Sequence, residues 1–352
     1  MSLTTMQETP PVRLDSPMAD SIARWLAQET QARDVRITGL ARLPGGAIQD
    51  NWTVDVDIDG GSWSGTHAWV LRTDAPSGVA ASLTRAQEFA VLRVANEAGV
   101  IAPKALFLCR ERDVLQREFF IMQRIPGLAA GHRLTKDAAL VPDGEALAES
   151  LGANLARIHA VRPPCAALAD LPPPADHPAR AAIAEYRAYL DGLDDSYPAL
   201  EWGLRWCERY APVPSAITLV HRDYRTGNYL VEGGRLSGVL DWEFAAWGDP
   251  MEDIGWFTAR CWRFAMPELE AGGIAQLPAF LRGYERVSGR KVRRSEVDYW
   301  QVMAHLRWAV IALQQAQRHL AGGERSLELA LTGRIVHELE YEILQLIARG
   351  TR

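Results

Sequence analysis

Along Thr53-Val-Asp-Val-Asp-Ile58 polar and apolar residues alternate, the period of a strand with one buried face. Upstream, Met18, Ile22, Trp25 and Leu26 recur at helical spacing, with Asp15 or Ser16 as a cap. Asp59-Gly60-Gly61 marks a turn, and Ala68–Arg72 reads as a second strand. A helix is expected over 84–98, ending near Gly99, followed by short strands at Leu106–Cys109 and Phe119–Gln123 that stop at Pro126-Gly127. The period then changes. Helical patterns cover 142–160, 178–210 and 250–350, the last broken near 287–293 and 321–325, and a proline-rich loop follows the first. Two short strands, Tyr229–Val231 and Leu236–Leu240, flank a Glu-Gly-Gly-Arg turn. The order predicts an α+β protein. A small antiparallel sheet with one helix fills 1–125, a larger helical part fills 126–352, and a cleft between two such lobes is the natural ligand site.

Length and charge narrow the picture. A chain of 352 residues fits about two domains, and 48% hydrophobic with 23% charged residues is a globular composition. The net charge of -6 argues against nucleic acid as a partner. Cys109, Cys165, Cys207 and Cys261 form no CxxC pair, which points to reduced thiols rather than disulfides or zinc. The polar, proline-bearing start lacks the apolar core of a signal peptide, and no run of about 18 apolar residues is present. A soluble, cytoplasmic protein with no membrane partner is the expectation.

The densest chemistry lies in His221-Arg-Asp-Tyr-Arg-Thr-Gly-Asn228 and Asp241-Trp-Glu243. Phosphoryl transfer to a hydroxyl needs a carboxylate to orient the nucleophile and accept its proton, and oxygen ligands for Mg²⁺. Asp223, Asn228 and Asp241 are that set, and the hairpin 229–240 returns Asp241 beside Asn228. Together with Gly248-Asp249-Pro250 and Asp253, the motif resembles the aminoglycoside phosphotransferase and choline kinase superfamily, which has a protein-kinase-like fold. The resemblance covers about residues 35 to 345. It implies Asp223 as base and Asn228 and Asp241 on magnesium. His221 would brace the loop, and Asp253 would cap the next helix and tie it to that loop. Glu243 would approach a second metal or the substrate.

The same resemblance implies a nucleotide side in the first part. Gly45 and Gly46, in Leu43–Asn51, would let backbone approach the ATP phosphates, with Asn51 beside them. The superfamily usually carries lysine on the third strand; here Trp69-Val-Leu-Arg72 has arginine, and no lysine precedes Lys104. Arg72 stays charged and can fork onto two phosphate oxygens, with Glu88 on the following helix as its partner. Phe120–Gly127, with Gln123 and Ile125, resembles the hinge whose backbone pairs with adenine. The implied activity is ATP- and Mg²⁺-dependent transfer to a small-molecule hydroxyl. The other reading is a nucleotide-binding regulatory module impaired at Arg72. Asp249, Glu252 and Glu243 would favour an amine-bearing acceptor, whereas Trp256, Trp262 and Trp308 would line an apolar pocket. His159 reads as a packed helix histidine.

Overall fold

The computed structural model describes residues 16–43, 49–74, 82–322 and 326–350. Gly45 and Gly46 lie outside the described residues. The chain divides into two compact units, the first comprising Met1–Glu97, Ala102–Pro126 and Trp242–Phe244, the second the remainder.

In the first unit, helix α1 (Pro17–Thr30) starts at Ser16, whose Oγ accepts from Ala19 N at 3.3 Å, with Pro17 at the first helical position. Strands β1 (Asp34–Arg42), β2 (Gln49–Asp59) and β3 (Gly65–Asp74) form an antiparallel meander. Helix α2 (Arg85–Glu97), β4 (Ala105–Cys109), the short α3 (Arg112–Leu115) and β5 (Phe119–Gln123) follow. The sheet order is β1-β2-β3-β5-β4. Alternation sorts the two faces. Val54, Val56, Trp69, Leu71, Phe119 and Ile121 join Ile22, Trp25 and Leu26 of α1 in one core. Each such fully buried side chain contributes about 1.5–3 kcal/mol. Val70, Arg72 and Phe120 fall on the opposite face, where Phe120 meets Phe89 of α2 at 5.9 Å between ring centroids. A two-residue period thus places Arg72 on the α2 side of the sheet. Thr84 and Gln87 form a capping box that starts α2, with Gln87 N donating to Thr84 Oγ1 and Thr84 N to Gln87 Oε1.

The second unit contains α4 (Gly131–Leu134), α5 (Gly144–Ile158), α6 (Pro178–Asp191) and α7 (Pro198–Tyr210). Strands β6 (Thr218–Val220), β7 (Tyr229–Glu232), β8 (Arg235–Val239) and β9 (Ala246–Gly248) come next, then α8 (Met251–Thr258), α9 (Leu277–Ser288), α10 (Arg294–Leu320), α11 (Leu327–Arg334) and α12 (Val336–Gly350). Helices α5 and α9 pack backbone to backbone. A Cβ on Gly152 would lie 2.0 Å from Phe280 O, and one on Gly283 would lie 1.9 Å from Glu149 O.

The helical pattern expected over 178–210 and 250–350 is cut more often than its periodicity suggests. Pro198 restarts the first of these after Gly192–Tyr197. Between α8 and α9 the chain runs through turns, with Pro267 and the positive-φ pair Gly272-Gly273 ending any helix there. The β6–β9 ladder was not foreseen. It pairs Val220 with Ala246 and so closes both ends of the stretch that holds the motif residues.

Candidate active site

The motif stretch is folded by its own turns. In β7–β8, Gly233 and Gly234 have φ of +54° and +77°, the signs a tight hairpin turn needs. Leu240 N donates to Asn228 O at 2.8 Å just past the hairpin's register, which brings residue 241 back beside Asn228. Asn228 Nδ2 donates to Asp223 Oδ2 at 2.5 Å and to Asp223 O at 3.1 Å. Asp223 Oδ1 accepts from Trp256 Nε1 at 2.9 Å and from Arg225 Nε at 3.1 Å. The Arg225 guanidinium lies 4.6 Å from the Trp262 ring centroid.

His221 fixes the loop from inside. Its Nε2 donates to Leu240 O at 2.9 Å, and its Nδ1 accepts from Asp223 N at 3.2 Å. These partners suit a neutral ring, and burial lowers its pKa in the same direction. Arg222 and Asp241 adopt left-handed backbone, φ +64° and +60°. Such conformations cost about 1–3 kcal/mol each for residues other than glycine, so surrounding contacts must hold them.

Asp253 supplies those contacts at Arg222. Fully buried on α8, it accepts from Arg222 N through Oδ1 and His221 N through Oδ2, both at 2.7 Å. His159 Nε2 reaches Oδ2 at 3.1 Å, while its Nδ1 meets Tyr284 OH at 3.0 Å. Burial alone would raise the Asp253 pKa; the hydrogen bond and charge of His159, followed by His221, outweigh it and hold the carboxyl below its ordinary range. Asp253 therefore ties α8 to the loop but does not cap the helix. The N-cap position is Pro250, and Asp249 just before it accepts from Met251 N through Oδ1 at 2.9 Å.

In the first unit, Arg72 is buried among acids. Its Nε stands 2.9 Å from Glu88 Oε1 and 3.1 Å from Oε2, and Nη1 donates to Asn51 Oδ1 at 3.3 Å. Nη2 lies 3.6 Å from Glu243 Oε2. Glu88 also bonds Arg85, which pairs with Asp74 at 2.9 Å. Glu243 thus stands beside Arg72, and its carbonyl accepts from Leu83 N at 2.7 Å. Gln123 and Arg124 use their N–H groups on Lys104 O and Ala68 O, and Ile125 follows the strand end.

A profile of the phosphotransferase enzyme family matches residues 39–294, which span Arg72, the His221–Asn228 loop and Asp253. The chain belongs to this family. Its fold is that of kinase-like phosphotransferases. A Ralstonia eutropha protein assigned as an aminoglycoside phosphotransferase superposes with a TM-score of 0.74 at 19% identity, covering 94% of this chain and 98% of that one. Aminoglycoside phosphotransferase APH(4)-Ia, in a ternary complex with AMP-PNP and hygromycin B, gives 0.59 at 16% identity, covering 92% and 98%. A curated relative, acyl-CoA dehydrogenase family member 10 of Mus musculus, is 28% identical over 187 residues, 51% of this chain and 17% of that protein. The chain spans well under half the length of the curated relatives it matches.

For a member of this family, several site neighbours escaped sequence reasoning. Arg225 stands two residues past Asp223, and a cation so near the candidate base was a visible signal. His159 carries no local signal, because its partners lie on α8 and α9. The acids thought to favour an amine are otherwise engaged. Arg222 Nε donates to Glu252 at 2.9 Å, Glu243 is on Arg72, and Asp249 is buried at the α8 start. Nothing in the described residues forms a cluster of three or more His, Cys, Asp or Glu suited to a metal, and no described helix is long and apolar enough to cross a membrane.

Burial raises the Asp249 carboxyl pKa to about 6. A folded value above the unfolded one means that its contribution to stability is full below pH ~3.9 and is lost as pH rises through the folded value. Asp249→Asn keeps an acceptor for Met251 N and removes the titration. The variant should be more stable than the parent at pH 8, by about 1–3 kcal/mol of unfolding free energy, and close to it near pH 4. Melting curves across that range check this, and a constant difference at all pH values would remove the carboxyl as its cause.

Proposed function

We propose that this chain transfers the γ-phosphoryl group of ATP to a hydroxyl of a small molecule. The observation that carries the reading is the state of Asp223, whose carboxylate is held at both oxygens by side chains on two elements. Oδ1 has two donors and Oδ2 one, so Oδ2 keeps the greater capacity for an acceptor hydroxyl. Asp223 orients that hydroxyl and takes its proton as the oxygen attacks phosphorus and the bond to the ADP oxygen breaks. Arg225, on the same carboxylate, offsets charge on the transferring group.

The donor set fits Mg²⁺. Asn228 commits its Nδ2 to Asp223, which leaves its Oδ1 as the ligand atom, and the Leu240–Asn228 bond brings the Asp241 position alongside. Both are hard oxygen donors, and Mg²⁺ takes few protein ligands. Bound there, the ion would neutralise phosphate charge. In the first unit, Arg72, braced by Glu88, would meet the phosphates, with Asn51, Gly45 and Gly46 near them. The backbone at Gln123 and Ile125 would pair with adenine.

A catalytically impaired nucleotide-binding module is the second reading. The enclosure of Arg72 favours it, since the side chain is 4% exposed and already engaged by Glu88, Asn51 and Glu243. ATP consumption against a panel of hydroxyl compounds, with the product read by ³¹P NMR, separates the two. Acceptor-dependent turnover supports the enzyme; nucleotide binding with no turnover on any compound supports the module.

Arg72→Lys is informative in either case. A lysine keeps the charge but loses the fork that serves Glu88, Asn51 and Glu243 together. The expected result is a fold that persists with nucleotide affinity weaker by about ten-fold, the equivalent of one lost charged hydrogen bond. Titration calorimetry with ATP and Mg²⁺ measures it, and unchanged affinity would take Arg72 out of nucleotide binding.

A further inference from the structure

We propose that Trp256 is a positioning residue for Asp223. The inference rests on Asp223 as the base of the phosphotransferase reading. Trp256 and Asp253 stand three residues apart on α8, so one helix face presents both to the loop. Asp253 holds the backbone at His221 and Arg222, and the Trp256 indole N–H holds the Asp223 carboxylate at Oδ1. Helix α8 therefore fixes backbone and side chain of the same loop.

The other donor to Oδ1 is less fixed. The Arg225 side chain is 27% exposed and lies on the loop itself. Trp256 is 3% exposed, and its ring is gripped on several sides. The Arg307 guanidinium sits 4.6 Å from its centroid and donates to Arg222 O, and the Trp262 ring packs at 5.1 Å. A ring so enclosed has one direction in which to point its N–H. The Asp223 carboxylate is thereby locked in one rotamer before any acceptor arrives, which is how a buried support sharpens a catalytic geometry. Arg225 stays available to swing towards phosphate without releasing the base.

The test is Trp256→Phe, which keeps most of the ring and removes the donor. With the best acceptor from the hydroxyl panel, kcat of the folded variant should fall about ten-fold while KM for ATP holds, the loss expected for a misoriented base, and the smaller buried ring should lower the melting temperature besides. A purely structural role would move the melting temperature and leave kcat on folded protein alone, and that outcome overturns the proposal. An arm independent of turnover uses the tryptophan indole ¹H–¹⁵N signals. The resonance missing from Trp256→Phe should shift and exchange faster in Asp223→Ala; no response there overturns the contact. Absence of turnover in the parent protein itself would count against the phosphotransferase reading, while the indole arm still decides the contact.

Discussion

Asp223→Ala is expected to slow phosphoryl transfer by about 10²–10⁴-fold, the span associated with a positioned general base. Nucleotide binding should survive, because the first-unit residues Arg72, Glu88 and Asn51 hold one another without Asp223. The variant also strands the Trp256 indole N–H and the Asn228 amide, so a loss of about 1–3 kcal/mol in stability should accompany the kinetic effect. Asp223→Asn separates these contributions. It can still accept from the indole through its one oxygen, while its amide faces that of Asn228 donor to donor, and it is no base, so it should recover part of the lost stability while its rate stays low. Steady-state rates, nucleotide titration and melting curves on the three proteins provide the check. A parent-like rate in Asp223→Ala would remove the residue from the chemistry.

Asp253→Ala should be the most destabilising single change in the second unit. It removes one buried acceptor from three donors, namely the N–H groups of His221 and Arg222 and the ring of His159. It also releases the left-handed backbone at Arg222. Breaking a buried charged network of this kind costs about 3–5 kcal/mol, a large part of typical domain stability and a fall on the order of 10 °C in melting temperature. The linkage with pH has a definite sign. Because the folded pKa lies below the unfolded one, the stabilisation is present above the ordinary carboxylate range and is lost as pH falls through the folded value. The difference between parent and variant should accordingly shrink on acidification. A difference of under about 1 kcal/mol at neutral pH would mean that the network is not holding the loop.

Much of the fold is legible in the chain because two periods rarely coincide. The alternation in 53–58 and at 68–72 identifies β2 and β3, and it also puts Arg72 on the face opposite Leu71, towards α2 and Glu88. The hairpin around Gly233-Gly234 is written in its turn residues. By contrast, β6 and β9 are three residues each, too short for a period to show, and their partners lie far apart in the chain, as in Val220↔Ala246 and Thr218↔Gly248. The sequence separation of these pairs hides them from any local reading. Glu243 illustrates another limit. The resemblance gives it a second metal or the substrate as neighbour, and no local pattern signals the partner it has in the fold, Arg72, which lies 171 positions earlier in the chain. Trp256 and Trp262, which the sequence offers as lining for an apolar pocket, are buried, but a buried indole also carries an N–H, and its destination depends on tertiary placement alone.

The contact of α5 with α9 at Gly152 and Gly283 has a consequence for variation in this chain. His159 follows the end of α5, and Tyr284 follows Gly283, so the two helices set the spacing of the bond that positions His159 against Asp253. A single methyl group at either glycine must wedge the helices apart. In a random mutant library, lesions there should surface among slow or temperature-sensitive clones and be mistaken for damage to chemistry. Because the atoms in the way are backbone oxygens, compensating changes should then cluster where the displaced helices pack against their other neighbours, rather than among the charged residues of the His221–Asn228 loop.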